Sequence, residues 1–159
     1  MAPELAKVGD KALLKLDNQL CFALYSASLT MTKVYKPLLA NLGVTYPQYL
    51  VLLVLWEQDQ RMVSDIGDRL FLDSGTLTPL LKRLESQGLI VRTRGADDER
   101  RVNVSLTAAG KQMRKRAAVV PKEILCATRC SLAELTALTA RLIELRGALS
   151  AELSPDVAN

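Results

Sequence analysis

A chain of 159 residues with 49% hydrophobic and 24% charged residues suits one compact domain, or one domain with dimerisation arms, and excludes disorder for its bulk. Its 21 lysines and arginines against 17 aspartates and glutamates leave a net charge of +4, an excess that matters only where the basic residues cluster. It has no histidine, which removes Cys-His and Ser-His catalysis and leaves only an all-carboxylate or thiolate route to a transition metal; no cofactor is expected.

The first twenty residues carry Glu4, Lys7, Asp10, Lys11, Lys15 and Asp17, so they form neither a signal peptide nor a membrane span, and a cytoplasmic protein is expected. There, three cysteines are buried thiols or redox groups rather than a disulfide framework. From Lys11 to about Ala40 an apolar-rich run predicts a long helix, with Leu13, Leu16, Leu20, Leu24 and Met31 inward, Pro37 breaking or bending it and Gly43 ending it. Thr45 and Gln48 have capping-box spacing around Pro47 and predict a second helix from Tyr46 to Glu57, almost wholly apolar from Leu50 to Trp56 and hence buried. Val63, Ile66 and Leu70 mark a short third helix, Phe71 and Leu72 a turn, and Asp73 or Ser74 the cap of a fourth.

In that fourth helix Leu77, Leu80, Leu81 and Leu84 make one apolar stripe. Ser74, Thr76, Thr78, Lys82 and Arg83 lie off it, able to meet phosphates and bases. After Gly88, Leu89/Val91/Thr93 alternate with Ile90/Arg92/Arg94, and Val102/Val104/Leu106 with Arg101/Asn103/Ser105, two strands joined by the charged residues 95–100. Helix-turn-helix followed by a basic hairpin predicts a mainly α protein with a small β wing, a winged helix-turn-helix that binds double-stranded DNA. Four basic clusters flank it: Lys82/Arg83, Arg92/Arg94, Arg100/Arg101 and Lys111/Arg114/Lys115/Arg116. A fifth helix should run from Thr107 to about Leu125 with a kink at Pro121, and Ser131 and Glu134 form a second capping box. Beyond it Leu135, Leu138, Leu142, Leu145 and Leu149 keep a 3-4 spacing that fits either intramolecular packing or a coiled-coil partner. The terminal helices hold more leucine than one winged helix buries, which favours a homodimer whose two-fold axis matches pseudo-palindromic half-sites about 34 Å apart. The expected organisation is one domain, 1–159, with a DNA-binding lobe at 46–106 and dimerisation helices at 11–44 and 107–150.

The stretch from Asp98 to Gly110, DERRVNVSLTAAG, resembles the D-x-R and L-T-x-x-G signature of the MarR family of transcription regulators. The resemblance implies that Asp98 braces Arg100 for insertion into a minor groove, where a guanidinium is favoured by the enhanced negative potential. Leu20-Cys21-Phe22-Ala23-Leu24-Tyr25, Tyr35, Tyr46 and the stretch from Leu72 to Pro79 are similar to the organic hydroperoxide sensors of the OhrR subgroup. That similarity implies that Cys21 reacts with peroxide, that Tyr35 and Tyr46 donate hydrogen bonds to its thiolate with Tyr25 beside it, and that Cys126 is the second cysteine of the two-cysteine members. Cys130 receives no role. Oxidation would give a sulfenic acid, and an intersubunit disulfide between Cys21 and Cys126 would shift the paired reading helices and release a repressor of organic peroxide stress genes from its operator. The alternatives are a MarR-type repressor governed by a noncovalent small molecule and, in a different class, a thiol peroxidase; nothing resembles a peroxidase active-site loop, so an enzyme is not expected.

Overall fold

The computed structural model describes residues 10–94 and 101–153. The expected first helix is divided. A short α1, Asp10–Leu13, is followed by a 3-10 turn at Leu16–Asn18 and then α2, Leu20–Ala40. The division has a local cause: the Asn18 amide donates to the Ala12 carbonyl at 2.7 Å and the Gln19 amide to the Leu13 and Lys15 carbonyls, satisfying acceptors that a continuing helix would have used. Pro37, by contrast, lies inside α2 without ending it. Termination comes six residues later, where Gly43 at φ +72° donates to the Ala40 carbonyl and Val44 to that of Leu39, a Schellman turn closed by the buried pair Leu39 and Val44.

The second helix, α3 (Tyr46–Glu57), has the expected bounds, and the Thr45 N–H donates to the Gln48 side-chain oxygen at 2.8 Å. Tyr49, Val51, Leu52, Val54, Leu55 and Trp56 are buried, so α3 is the centre about which the lobe packs. α4 (Val63–Leu70) turns through Phe71, held at φ +56°, into α5 (Ser74–Ser86), whose Leu77, Leu81 and Leu84 are buried.

The hairpin is part of a three-stranded antiparallel sheet ordered β1-β3-β2. β1 (Arg61–Met62) was not foreseen; β2 is Ile90–Arg94 and β3 is Val102–Leu106, in a register that pairs Ile90 with Leu106 and Arg94 with Val102. On β2 Val91 is 44% exposed while Ile90 is buried and Arg92 half-buried, so Ile90 and Arg92 mark the inward face. Thr107 then caps α6 (Ala108–Ala117), accepting from the Gly110 N–H at 3.1 Å and donating to the Gly88 carbonyl at 2.6 Å. The Trp56 indole N–H donates to the Gly110 carbonyl at 3.0 Å, and a β-carbon on Gly110 would stand 2.1 Å from the Leu89 carbonyl oxygen.

The single kinked helix expected from Thr107 to Leu125 is two helices, α6 and α7 (Val120–Thr128), with Pro121 in the first turn of the second, where its missing N–H has no intrahelical acceptor to lose. α8 (Leu132–Glu152) starts at the expected box, the Ser131 N–H donating to Glu134 at 2.7 Å. The chain forms two compact units, 1–120 and 121–159. In the first, Leu13, Leu16, Leu20, Leu24 and Met31 are exposed rather than inward, and in the second Leu138, Leu142 and Leu149 are exposed. Gly110→Ala should cost about 3 kcal/mol in urea denaturation, since the Leu89 backbone would have to retreat from the new methyl group; an unchanged midpoint would contradict the close approach.

Candidate nucleic-acid interface and thiol site

The start of α5 is organised by Asp73, whose carboxylate accepts the Thr76 N–H at 2.8 Å and the Thr76 hydroxyl at 2.9 Å. These bonds, the backbone one foremost, hold the Asp73 carboxyl below its ordinary value. Ser74 and Thr76 are exposed at this helix end, with the Thr76 hydroxyl turned into its cap; Thr78 is half-buried, and Lys82 and Arg83 stand exposed a turn further on. Beside them a cavity of about 610 Å³ is bounded by Ser64, Asp68, Asp73, Ser74 and Arg101 together with apolar side chains such as Met62, Leu72 and Val102, so the helix end and the foot of β3 share one concave surface of mixed polarity. Helix N-terminal N–H groups and exposed cations on one face are what a phosphate backbone requires.

The basic residues divide into two sets. Arg92 is committed to Glu85 of α5: its N–H donates at 3.1 Å and its guanidinium at 2.9 and 2.5 Å, tying the wing strand to the helix that precedes it. The Arg92 guanidinium holds the Glu85 carboxyl below the ordinary glutamate value. Lys111 pairs with Asp59 at 3.2 Å. Burial raises the Asp59 carboxyl, but the N–H groups of Leu106 and Gln60 and the Lys111 ammonium outweigh it and leave it lowered. Arg116 donates to the Asn41 carbonyl at 2.6 Å. Lys82, Arg83, Arg94 and Arg101 are exposed and make no ion pair among the described residues. Asp98 and Arg100 lie outside the described residues. Glu85 was missed in the sequence because its partner is seven positions away across a helix end, where no periodicity reports it.

The thiol and the phenols stand apart within one chain. Cys21 occupies the first turn of α2, exposed, and Tyr25 is 62% exposed one turn on. Tyr35 follows fourteen residues later on the same unbroken helix, roughly 21 Å along its axis at 1.5 Å per residue. Tyr35 and Tyr46 do meet, with ring centroids 4.6 Å apart and Tyr49 6.1 Å from Tyr35. Burial, then the neighbouring phenols, push Tyr35 up to about 12, and burial raises Tyr46 as well, so both are neutral O–H donors across the physiological range. The site expected from Cys21, Tyr35 and Tyr46 is thus not assembled by one copy of the chain. Of the apolar side chains on α2 and α3, Phe22, Leu50 and Leu53 are half-buried and Leu24 is exposed. Cys126, in the last turns of α7, and Cys130 beyond it are exposed, the Cys130 thiol donating to the Thr128 carbonyl at 3.4 Å. Among the described residues no cluster could hold a metal ion, and no helix is long and apolar enough to cross a membrane.

Comparison with known proteins gives concordant results. The family described as transcriptional regulator SarA/Rot matches residues 33–117. The organic hydroperoxide resistance transcriptional regulator of Bacillus subtilis (strain 168) is 52% identical over 132 residues, which cover 83% of this chain and 90% of that protein. The structure of reduced AbfR bound to DNA, a Staphylococcus epidermidis protein, superposes with a TM-score of 0.77 at 35% identity, covering 91% of this chain and 99% of its own. Disulfide-formed AbfR gives a TM-score of 0.58 at 37% identity, over 85% and 95% of the two chains.

Because the depressed Glu85 value makes its ion pair with Arg92 a source of stability, that contribution is present above the unfolded glutamate value and is lost as pH falls through the folded one. Glu85→Gln should therefore flatten the decline in unfolding midpoint between about pH 5 and pH 3. An undiminished decline in the variant would show that the pair contributes nothing to the fold.

Proposed function

Because the chain belongs to the MarR family of winged-helix transcription regulators, within its organic hydroperoxide branch, we propose that it is a homodimeric repressor that leaves pseudo-palindromic operator DNA when Cys21 is oxidised by an organic hydroperoxide. It acts as a regulator rather than an enzyme, in the cytoplasm where its operator lies. Ser74, Thr76, Thr78, Lys82 and Arg83 meet the major groove and its phosphates, Arg94 and the Asp98-braced Arg100 carry the wing contact, and Arg92 holds the wing to α5.

The observation that carries the redox reading is the pair of neutral phenols, Tyr35 and Tyr46, held 4.6 Å apart with their own chain's thiol a helix length away. A second copy, with its α2 antiparallel to the first, brings its Cys21 to that pair and covers the exposed Leu24, Leu29 and Met31. The unpaired N–H groups of the first turn of α2 and the two phenols then favour an anionic sulfur. The Cys21 thiolate attacks the terminal peroxide oxygen; the O–O bond breaks, the sulfur becomes a sulfenic acid and the alcohol departs with a proton. The thiol of Cys126 from the partner subunit then displaces water, closing a disulfide that links the subunits and misaligns the two reading helices. The disulfide-formed AbfR structure supports this sequence of states by likeness.

A second reading has its own observation. A cavity of about 430 Å³ lined by Lys33, Lys36, Leu39, Val44, Tyr46 and Pro47 is mostly apolar with two cations, a lining that suits a noncovalent organic anion. One equivalent of cumene hydroperoxide, followed by non-reducing intact mass and peptide mapping, separates the two. The expected product is a covalent dimer containing the Cys21–Cys126 cross-link, with operator DNA released; Cys126→Ser should stop at a Cys21 sulfenic acid that over-oxidises on further peroxide. An unmodified Cys21, or release that survives Cys21→Ser, would favour the noncovalent ligand.

A further inference from the structure

The turn between α2 and α3 offers two backbone carbonyls to side chains from distant parts of the sequence. Gln87, the residue that ends α5, donates its amide to the Gly43 carbonyl at 2.9 Å across 44 positions. Arg116, in the last turn of α6, donates its guanidinium to the Asn41 carbonyl at 2.6 Å across 75 positions. Neither bond fills a need of the helices themselves: the Schellman bonds of Gly43 and Val44 already close α2, and Gln87 closes α5 with its own N–H to the Arg83 carbonyl. The same turn is bracketed by the two phenols. Tyr35 lies six residues before Asn41, Tyr46 lies three after Gly43, and the rings touch behind it. The segment that joins the two ring-bearing helices is fastened at one point to the reading helix and at another to the helix that follows the wing.

We propose that Gln87 and Arg116 are positioning residues that couple the tyrosine pair to the DNA-reading helix, so that a change at the thiol site is delivered to α5 through the Asn41–Val44 turn. The inference rests on the redox reading above. Neither residue touches the reacting sulfur, and neither is among those assigned to DNA. With the two clasps in place the turn and the C-terminal end of α5 move as one body. Without them the turn can follow the phenols while α5 keeps its DNA-bound orientation, held by the buried Leu77, Leu81 and Leu84. Allosteric coupling is a ratio of affinities between two states, so loss of the clasps lowers the ratio rather than either affinity alone.

The test measures operator affinity of the full-length dimer before and after one equivalent of cumene hydroperoxide, for the wild type, Gln87→Ala, Arg116→Met, the double variant and Arg116→Lys. Cys21 oxidation is followed by mass and folding by thermal melting. The expected result is a reduced-state affinity within about twofold of wild type, full oxidation of Cys21, and an oxidised-to-reduced ratio of dissociation constants at least about fivefold smaller in the double variant. Arg116→Lys, which keeps a cationic donor, should retain most of the ratio. A double variant that oxidises fully and keeps the wild-type ratio overturns the proposal, as does one that loses reduced-state affinity and oxidised-state affinity equally. A wild type whose affinity does not change on oxidation of Cys21 would instead overturn the redox reading itself.

Discussion

For α6 to begin where it does, Gly110 has to lie against the Leu89 carbonyl, at a distance that admits no side chain. Around that contact the Thr107 hydroxyl reaches the Gly88 carbonyl and the Trp56 indole reaches the carbonyl of Gly110. Three segments far apart in the chain are thereby fixed at one place: the end of α3, the bend from α5 into β2, and the passage from β3 into α6. The wing leaves and re-enters the lobe at this junction, so its angle to α5 is set there and reinforced by Glu85 and Arg92. The L-T-x-x-G stretch is therefore best understood as packing chemistry. Its threonine and glycine aim the wing and have no need to touch DNA.

The second constraint is the straightness of α2. An unbroken helix is a ruler, and it keeps Cys21 and Tyr35 about 21 Å apart however the rest of the chain moves. A chemistry that needs both groups at one sulfur needs two chains. That requirement agrees with the exposed leucines of α2, which in a lone chain would present an apolar surface to water. In the proposed dimer, dimerisation, thiol chemistry and the doubled reading helix are one design, since the contact that would cover the leucines is also the one that would bring Cys21 to the phenols.

What could be read in the sequence was local. The Thr45–Gln48 and Ser131–Glu134 boxes and the Asp73 cap announce helix starts within four residues, and the leucine stripe of α5 announces its buried face. What could not be read depended on distant partners. β1 is two residues long and exists only through its pairing with β3. Arg92 turns inward because Glu85 receives it, a choice of face that alternation alone does not make. Leu13, Leu16, Leu20, Leu24 and Met31 looked like core because apolar periodicity marks a face to be covered without saying by which chain. The thiol site shows the same limit: its residues could be named from the sequence, and one helix through Cys21 and Tyr35 could be expected, but the meeting of Tyr35 with Tyr46 is visible only in the fold.

The basic residues make the corresponding point for recognition. Of the four clusters, two lose members to the fold: Arg92/Arg94 loses Arg92 to Glu85, and the cluster on α6 loses Lys111 to Asp59 and Arg116 to Asn41. Each of these bonds joins a basic side chain to a different element, so the positive charge that flanks the reading helix is partly structural. A guanidinium or ammonium bonded to another element still contributes to the field at the surface, because an ion pair is a dipole rather than a void, but it cannot follow a phosphate as an unpaired side chain does. Among the described residues Lys82 and Arg83 on α5, Arg94 on β2, Arg101 just before β3, and Arg114 and Lys115 on α6 are exposed and make no ion pair. The net charge of the chain is modest, yet Lys82, Arg83 and Arg94 place exposed cations on the helix and the wing strand that a winged helix presents to DNA.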